Sequence, residues 1–322
     1  MFKENYMLLK QRASKLSYPF ALRKNPHAQE VCASTTRWVQ EQRIVESSNL
    51  QRFLDMRSWD VVSYAYPDIT ISELTTVADW ISWVMLADDQ YDERPLGRNP
   101  KAINNVLNRY HSLMVAVSAK AEDLPHDDIT TFEAALIDVV TRIFCNTTME
   151  WRTRFIENGV RFFSGCLQEA EFRSNRSSPS LTEYMELRLL SVGMYQLFDM
   201  LELYLSDALE TYLIQSEEYQ KIRNAAAYVC AWANDIYSYP KESTHKDPCN
   251  LICVLTAKEG FSFESALNEA IELHDSELQR FFDLESIILK TNTMPTTQAW
   301  LCGLKNWMVG ALIWHREAER YR

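Results

Sequence analysis

The chain has 322 residues, of which 47% are apolar, enough to bury a large core in one or two domains. Only seven glycines and ten prolines occur, so turns are few and elements long, which argues for an all-α protein. A net charge of −11 excludes a nucleic-acid surface as the natural reading, and no apolar run is long enough for a membrane span.

In chain order, residues 1–17 read as a flexible basic arm, because Lys3, Lys10, Arg12 and Lys15 face a single acidic residue, Glu4. The stretch lacks the apolar centre of a secretory signal. The folded domain is expected over 18–322. A first helix is expected over 29–43, and a second apolar segment over 50–66 stops at Pro67. Thr70, Ser72 and Glu73 then start a long helix with Leu74, Val77, Trp80, Ile81, Val84 and Met85 on its apolar face. It ends in the acidic cluster Asp88-Asp89-Gln90-Tyr91-Asp92-Glu93, before a break at Arg94-Pro95-Leu96-Gly97.

Further helices are expected over 104–117, around Phe132 to Ile143, and over 150–173. Residues 181–205 follow as one helix with Gly193 inside, which costs about 1 kcal/mol against Ala and suggests a purposeful bend. Residues 216–239, the amphipathic stretch from Leu267 to Ile288, and 296–319 complete one domain of about ten helices with no repeat. Seven cysteines without regular spacing indicate a reducing compartment, the cytoplasm, and Cys249 with Cys253 lacks the second pair a zinc site needs.

Two segments carry chemistry. Asn234, Ser238 and Glu242 stand at i, i+4 and i+8, so a helix aligns an amide oxygen, a hydroxyl and a carboxylate, ligands that suit Mg²⁺. Pro240 removes one hydrogen bond inside this stripe and leaves the position of Glu242 open. In the earlier cluster, Asp88 and Asp92 share one face while Asp89 points about 100° away. Carboxylates at a helix C-terminus oppose its dipole, and either solvent or a bound cation would relieve them. Both clusters end apolar helices, and so describe the rim of an apolar cavity where metal ions would hold a polyphosphate.

These motifs resemble those of class I terpene synthases of the compact single-domain microbial type. Asp88-Asp89-x-x-Asp92-Glu93 matches the aspartate-rich motif of that family. Asn234-Asp-x-x-Ser238-x-x-Lys241-Glu242 matches its second metal motif. Asn25-Pro26-His27, Ala65-Tyr66-Pro67 and Arg320-Tyr321 also fall where the family has them, so the likeness runs from Tyr18 to the last residue.

The resemblance implies an α-helical bundle around the cavity and three Mg²⁺ ions, with Mn²⁺ as an alternative. Asp88, with Asp92 as the weaker ligand, would serve two ions, and Asn234, Ser238 and Glu242 the third. Lys241, Arg320 and Tyr321 would hydrogen-bond a diphosphate that Arg188 senses, while Ser191, Val192 and Gly193 bend their helix and aim a carbonyl at the substrate. Trp83 and Trp314 would stabilise a carbocation, and Val84 and Met85 would form a pocket wall less aromatic than usual. The substrate implied is an isoprenyl diphosphate, farnesyl diphosphate first and geranylgeranyl diphosphate second. A homodimer would be in keeping with the family. A prenyl-chain elongating synthase is the nearest alternative, although it carries a second aspartate-rich motif where Asn234, Ser238 and Glu242 stand here. A non-catalytic helical homologue is the other.

Overall fold

The computed structural model describes residues 2–92, 95–125, 127–257 and 260–318, without the side chains of residues 2, 3, 91, 92, 95 and 96. Among the described residues there are fifteen α-helices, three short 3-10 turns and no strand. In order they are α1 (Phe2–Ala13), α2 (Ala28–Glu41), α3 (Leu50–Met56), α4 (Ser58–Ala65), α5 (Ile71–Asp92), α6 (Pro100–Ala119), α7 (Thr131–Phe144) and α8 (Met149–Asn175). Then come α9 (Leu181–Ser191), α10 (Met194–Leu201), α11 (Thr211–Ile214), α12 (Glu217–His245), α13 (Leu251–Thr256), α14 (Phe263–Thr291) and α15 (Pro295–Glu317).

The helices start where side chains can satisfy unpaired N–H groups. At α5 the Thr70 N–H donates to Glu73 Oε2 (2.8 Å) and the Glu73 N–H to Thr70 Oγ1 (3.4 Å). The same reciprocal box opens α7 through Thr130 and Glu133, and α9 through Ser180 and Glu183. Single caps from Asn99, Thr148, Ser216 and Ser262 begin α6, α8, α12 and α14.

Helix α12 is the axis of the bundle. It packs on α14 and α15, and touches α1, α9, α10, α11 and α13; α15 lies along α4, and α8 along α6 and α9. Residues 225–233 of α12 are all buried, and Trp80, Trp83, Trp232, Trp300 and Trp307 are almost wholly enclosed. Such a continuous apolar surround holds the helix through Pro240 to His245, beyond the expected end at 239. No helix among the described residues is long and apolar enough to cross a membrane.

Three expectations are corrected. The segment 50–66 is two helices, split at Arg57 in the left-handed conformation (φ 51°). The segment 181–205 is broken at Gly193 (φ 69°), a conformation that glycine adopts without steric cost. The free arm over 1–17 is instead mostly helical. Its Leu9, Ala13 and Leu16 are buried against α12 and α14, and Tyr237 Oη donates to the Ala13 carbonyl at 3.0 Å. Lys10 and Arg12, in the last turn of the helix, are more exposed than Leu9 and Ala13 beside them, a pattern that charge counting alone reads as disorder.

Candidate active site

One cavity gathers side chains from α4, α5, α8, α9, α10, α12 and α15. Helical spacing explains which residues reach it. On α5, Ile81, Val84 and Met85 lie within about 60° of Asp88 at 100° per residue, and all four line the cavity. On α15 the series Trp307, Ala311, Trp314 and His315 does the same, and on α12 it is Cys230, Asn234, Ser238, Lys241, Glu242 and His245. One end is therefore polar and the other apolar, walled by Val61, Ile81, Phe162, Leu197, Trp307 and Ala311.

The break between α9 and α10 forms part of the wall, with Ser191, Val192 and Gly193 all lining it. Two glycines make the break possible. Gly193 supplies the positive φ, and Gly165 lets α8 pass so close that an added Cβ would sit 2.6 Å from the Ser191 nitrogen.

Arg188 reaches the polar end from α9. Its Nε donates to Asp235 Oδ1 (2.9 Å) and one Nη to Asn234 Oδ1 (2.7 Å). Asp235, 1% exposed, also accepts from Tyr184 Oη at 2.6 Å and from the Leu251 N–H at 2.9 Å. Burial raises the Asp235 pKa, and Arg188, Tyr184 and the Leu251 N–H oppose that rise. Burial alone would lower the Arg188 pKa, but Asp235 with Tyr184, Glu169 and Glu242 outweighs it and raises it well above the usual value.

The other side of Asn234 is fixed by His315, whose Nε2 lies 3.0 Å from Asn234 Nδ2 while its ring stacks on Tyr237. Since that amide nitrogen donates, Nε2 accepts and the proton sits on Nδ1. Ser238 is 2% exposed, and the amide of Asn250 bridges it to Glu242, with Nδ2 at 3.5 Å from Ser238 Oγ and 2.8 Å from Glu242 Oε2. Burial first, then the charges of Asp235 and Asp247, push the Glu242 carboxyl up to about 8.

That electrostatic arrangement fits a hard cation. Asp88, Asn234, Ser238 and Glu242 offer oxygens to the cavity beside the cations Arg173, Arg188 and Lys241, and the charges of Asp235 and Asp247 on Glu242 are a negative field that a divalent ion would relieve. Among the described residues no group of three or more His, Cys, Asp or Glu side chains forms a metal site. The triad here is an amide, a hydroxyl and a carboxylate, of which only Glu242 is of that kind.

Asp88, Val84, Met85, Arg188, Ser191, Val192, Gly193, Asn234, Ser238, Lys241, Glu242 and Trp314 thus meet at one cavity. Asp89 turns away, accepting from Arg52 at 3.2 Å. Trp83 is a correction: about 140° around α5 from Asp88, it stacks on Trp80 and donates to the Phe132 carbonyl (2.9 Å) in the core. The Asp92 side chain, Arg320 and Tyr321 lie outside the described residues. Sequence reasoning missed Phe162, Trp307, Asp235, Asn250 and His315. The only signals were the place of Asp235 inside the motif and that of His315 beside Trp314.

The family model described as "Terpene synthase family 2, C-terminal metal binding" matches residues 79–280, which include every candidate ligand. A germacrene A synthase of Nostoc punctiforme is 28% identical, over 94% of this chain and 93% of that protein. A (+)-T-muurolol synthase of Roseiflexus castenholzii is also 28% identical, over 96% and 93%. The fold is shared with a crystal structure of a-eudesmol synthase (TM-score 0.82, 20% identity, 94% of this chain and 98% of that one). It is shared too with germacradien-4-ol synthase from Streptomyces citricolor (TM-score 0.78, 24% identity, 93% and 97%). The chain belongs to terpene synthase family 2 and is a compact class I terpene synthase.

Proposed function

We propose that the protein is a Mg²⁺-dependent sesquiterpene cyclase that converts farnesyl diphosphate to a cyclic hydrocarbon or alcohol and releases diphosphate. The observation that carries this reading is the two-ended cavity, with Asp88, Arg188, Asn234, Ser238, Lys241 and Glu242 at one end and an apolar wall at the other. Two relatives of the chain bear names that fit: a germacrene A synthase, and a T-muurolol synthase whose name specifies (2E,6E)-farnesyl diphosphate cyclizing.

Asp88 on one side and Asn234, Ser238 and Glu242 on the other would hold the metal, with the aspartate-rich motif extended by Asp92. Mg²⁺ bound there would act as a Lewis acid on diphosphate oxygens and neutralise charge on the leaving group. Arg188 and Lys241 supply fixed positive charge and hydrogen-bond donors to the same oxygens, joined by Arg320 and Tyr321. Asp235 aims Arg188 and prevents it from swinging into solvent. Once the carbon–oxygen bond breaks, the allylic cation lies between Phe162, Trp307 and Trp314, whose ring faces are each worth roughly 0.5–2 kcal/mol to a desolvated cation. Two of these rings are fixed by their own hydrogen bonds, Trp307 Nε1 to Tyr66 Oη (3.3 Å) and Trp314 Nε1 to the Met56 carbonyl (2.9 Å). The apolar wall keeps water from the cation while the chain folds on itself.

Incubation of the purified protein with Mg²⁺ and the geranyl, farnesyl or geranylgeranyl diphosphate, followed by gas chromatography of extracts, tests this reading. Cyclic C15 products from farnesyl diphosphate are expected. Cyclic C20 products alone would move the substrate to geranylgeranyl diphosphate, and absence of terpene from all three would sink the proposal.

A further inference from the structure

Asn250 belongs to neither metal motif, yet it is fully buried beside the second one. It caps α13 in the ordinary way, its Oδ1 accepting the Ile252 N–H at 2.9 Å. A serine or an aspartate would cap as well. What capping does not use is the amide nitrogen, and that end is spent on α12: Nδ2 donates to the Asp235 carbonyl (2.8 Å) and to Glu242 Oε2 (2.8 Å), with Ser238 Oγ at 3.5 Å. The next residue adds to the grip, since the Leu251 N–H donates to Asp235 Oδ2.

The need for such a grip is local. Glu242 follows Pro240, which has no N–H to close its own turn of the helix. A carboxylate one half-turn beyond a proline is poorly fixed by helix geometry alone, whereas Asn250 ties it to the α12 backbone at Asp235. We infer that Asn250 is a positioning residue for the second metal motif, keeping the Glu242 carboxylate beside Ser238 and turned to the cavity. The inference rests on the cation-binding reading of Asn234, Ser238 and Glu242.

Two variants separate positioning from capping. Asn250→Asp keeps the shape and the cap acceptor but turns an oxygen towards Glu242 in place of the donor. Asn250→Ser keeps a capping hydroxyl that falls short of Glu242. Binding of Mg²⁺ with inorganic diphosphate is measured by calorimetry, alongside the Mg²⁺ concentration for half-maximal turnover and the KM for farnesyl diphosphate. Both variants are expected to bind the Mg²⁺–diphosphate pair about 10–100-fold more weakly, with the Mg²⁺ requirement raised in proportion. KM at saturating Mg²⁺ should move by less than about threefold, because Asn250 is not among the residues that line the cavity.

Unchanged Mg²⁺–diphosphate binding in both folded variants would overturn the role and leave Asn250 as a cap. Failure of both to fold, by circular dichroism, would also overturn it and assign Asn250 to the stability of the fold. A wild-type protein that binds no Mg²⁺ with diphosphate would overturn the cation reading itself, an outcome distinct from either.

Discussion

Replacing Asp235 by Asn tests how the site is held together. The change keeps size and shape, but the new amide must point its –NH₂ at one of three donors: Tyr184 Oη, Arg188 Nε or the Leu251 N–H. It also leaves Arg188, whose side chain is 12% exposed, without its counter-charge. Breaking one partner of such a buried pair costs about 3–5 kcal/mol. For a chain of this length the unfolding entropy is about 0.7 kcal/mol per kelvin, so the melting temperature should fall by about 4–7 °C. Because Asp235 aims Arg188, kcat/KM for farnesyl diphosphate should fall by about 100-fold, more than a loss of stability alone produces below the transition. Thermal unfolding followed by circular dichroism and a diphosphate-release assay read the two effects. A melting temperature within about 1 °C of wild type together with unchanged kcat/KM would refute the anchoring role.

Other consequences follow from the same geometry. Gly165→Ala would place a methyl group 2.6 Å from the Ser191 nitrogen, so α8 and the break at Gly193 must separate; a loss of about 1–3 kcal/mol by denaturant titration is expected, with reduced turnover. Trp307→Phe should change the ratio of products by gas chromatography, because that ring lines the cavity. Trp83→Phe should leave the ratio unchanged while lowering stability by roughly 1–3 kcal/mol, since Trp83 is core. In the metal-free protein the Glu242 carboxyl is raised to about 8, above its unfolded value. Its contribution to stability is full below that unfolded value and lost as pH rises through 8, so melting temperatures should decline across that window and Glu242→Gln should flatten the decline. At neutral pH, Mg²⁺ binding should then release a proton, visible as a buffer-dependent heat in calorimetry.

The sequence carried the alignment of Asn234 and Ser238 because a helix turns spacing into register, whereas the setting of Glu242 beyond Pro240 also depends on Asn250, which the spacing does not show. It carried Val84 and Met85 for the same reason, as neighbours of Asp88 on α5. Trp83 shows the limit: being next to the aspartates in the chain sets it on the wrong side of the helix, and an angular count from Asp88 would have excluded it. Phe162 and Trp307 come from helices far away in sequence, so only the packing of α8 and α15 brings them to the cavity. Asn250 looked like any residue before an apolar run, and its second contact exists only because α13 folds back on α12. Helix α1 was hidden for a different reason. Leu9 and Ala13, one turn apart, are buried while Lys10 and Arg12 between them are more exposed, and a count of lysines and arginines does not see faces. Pro240 lowered the expectation of helix past 239, yet packing along α12 outweighs one missing hydrogen bond.

Under the proposed function this cavity ionises and cyclises farnesyl diphosphate when a divalent cation joins its two motifs. The most direct measurement follows diphosphate release and C15 product together, in protein stripped by a chelator and again after Mg²⁺ is restored. The proposed chemistry requires no turnover in the stripped protein, recovery with Mg²⁺, and one diphosphate released for each cyclic C15 molecule formed. Equal activity without a divalent ion, or diphosphate release with only linear products, would contradict it.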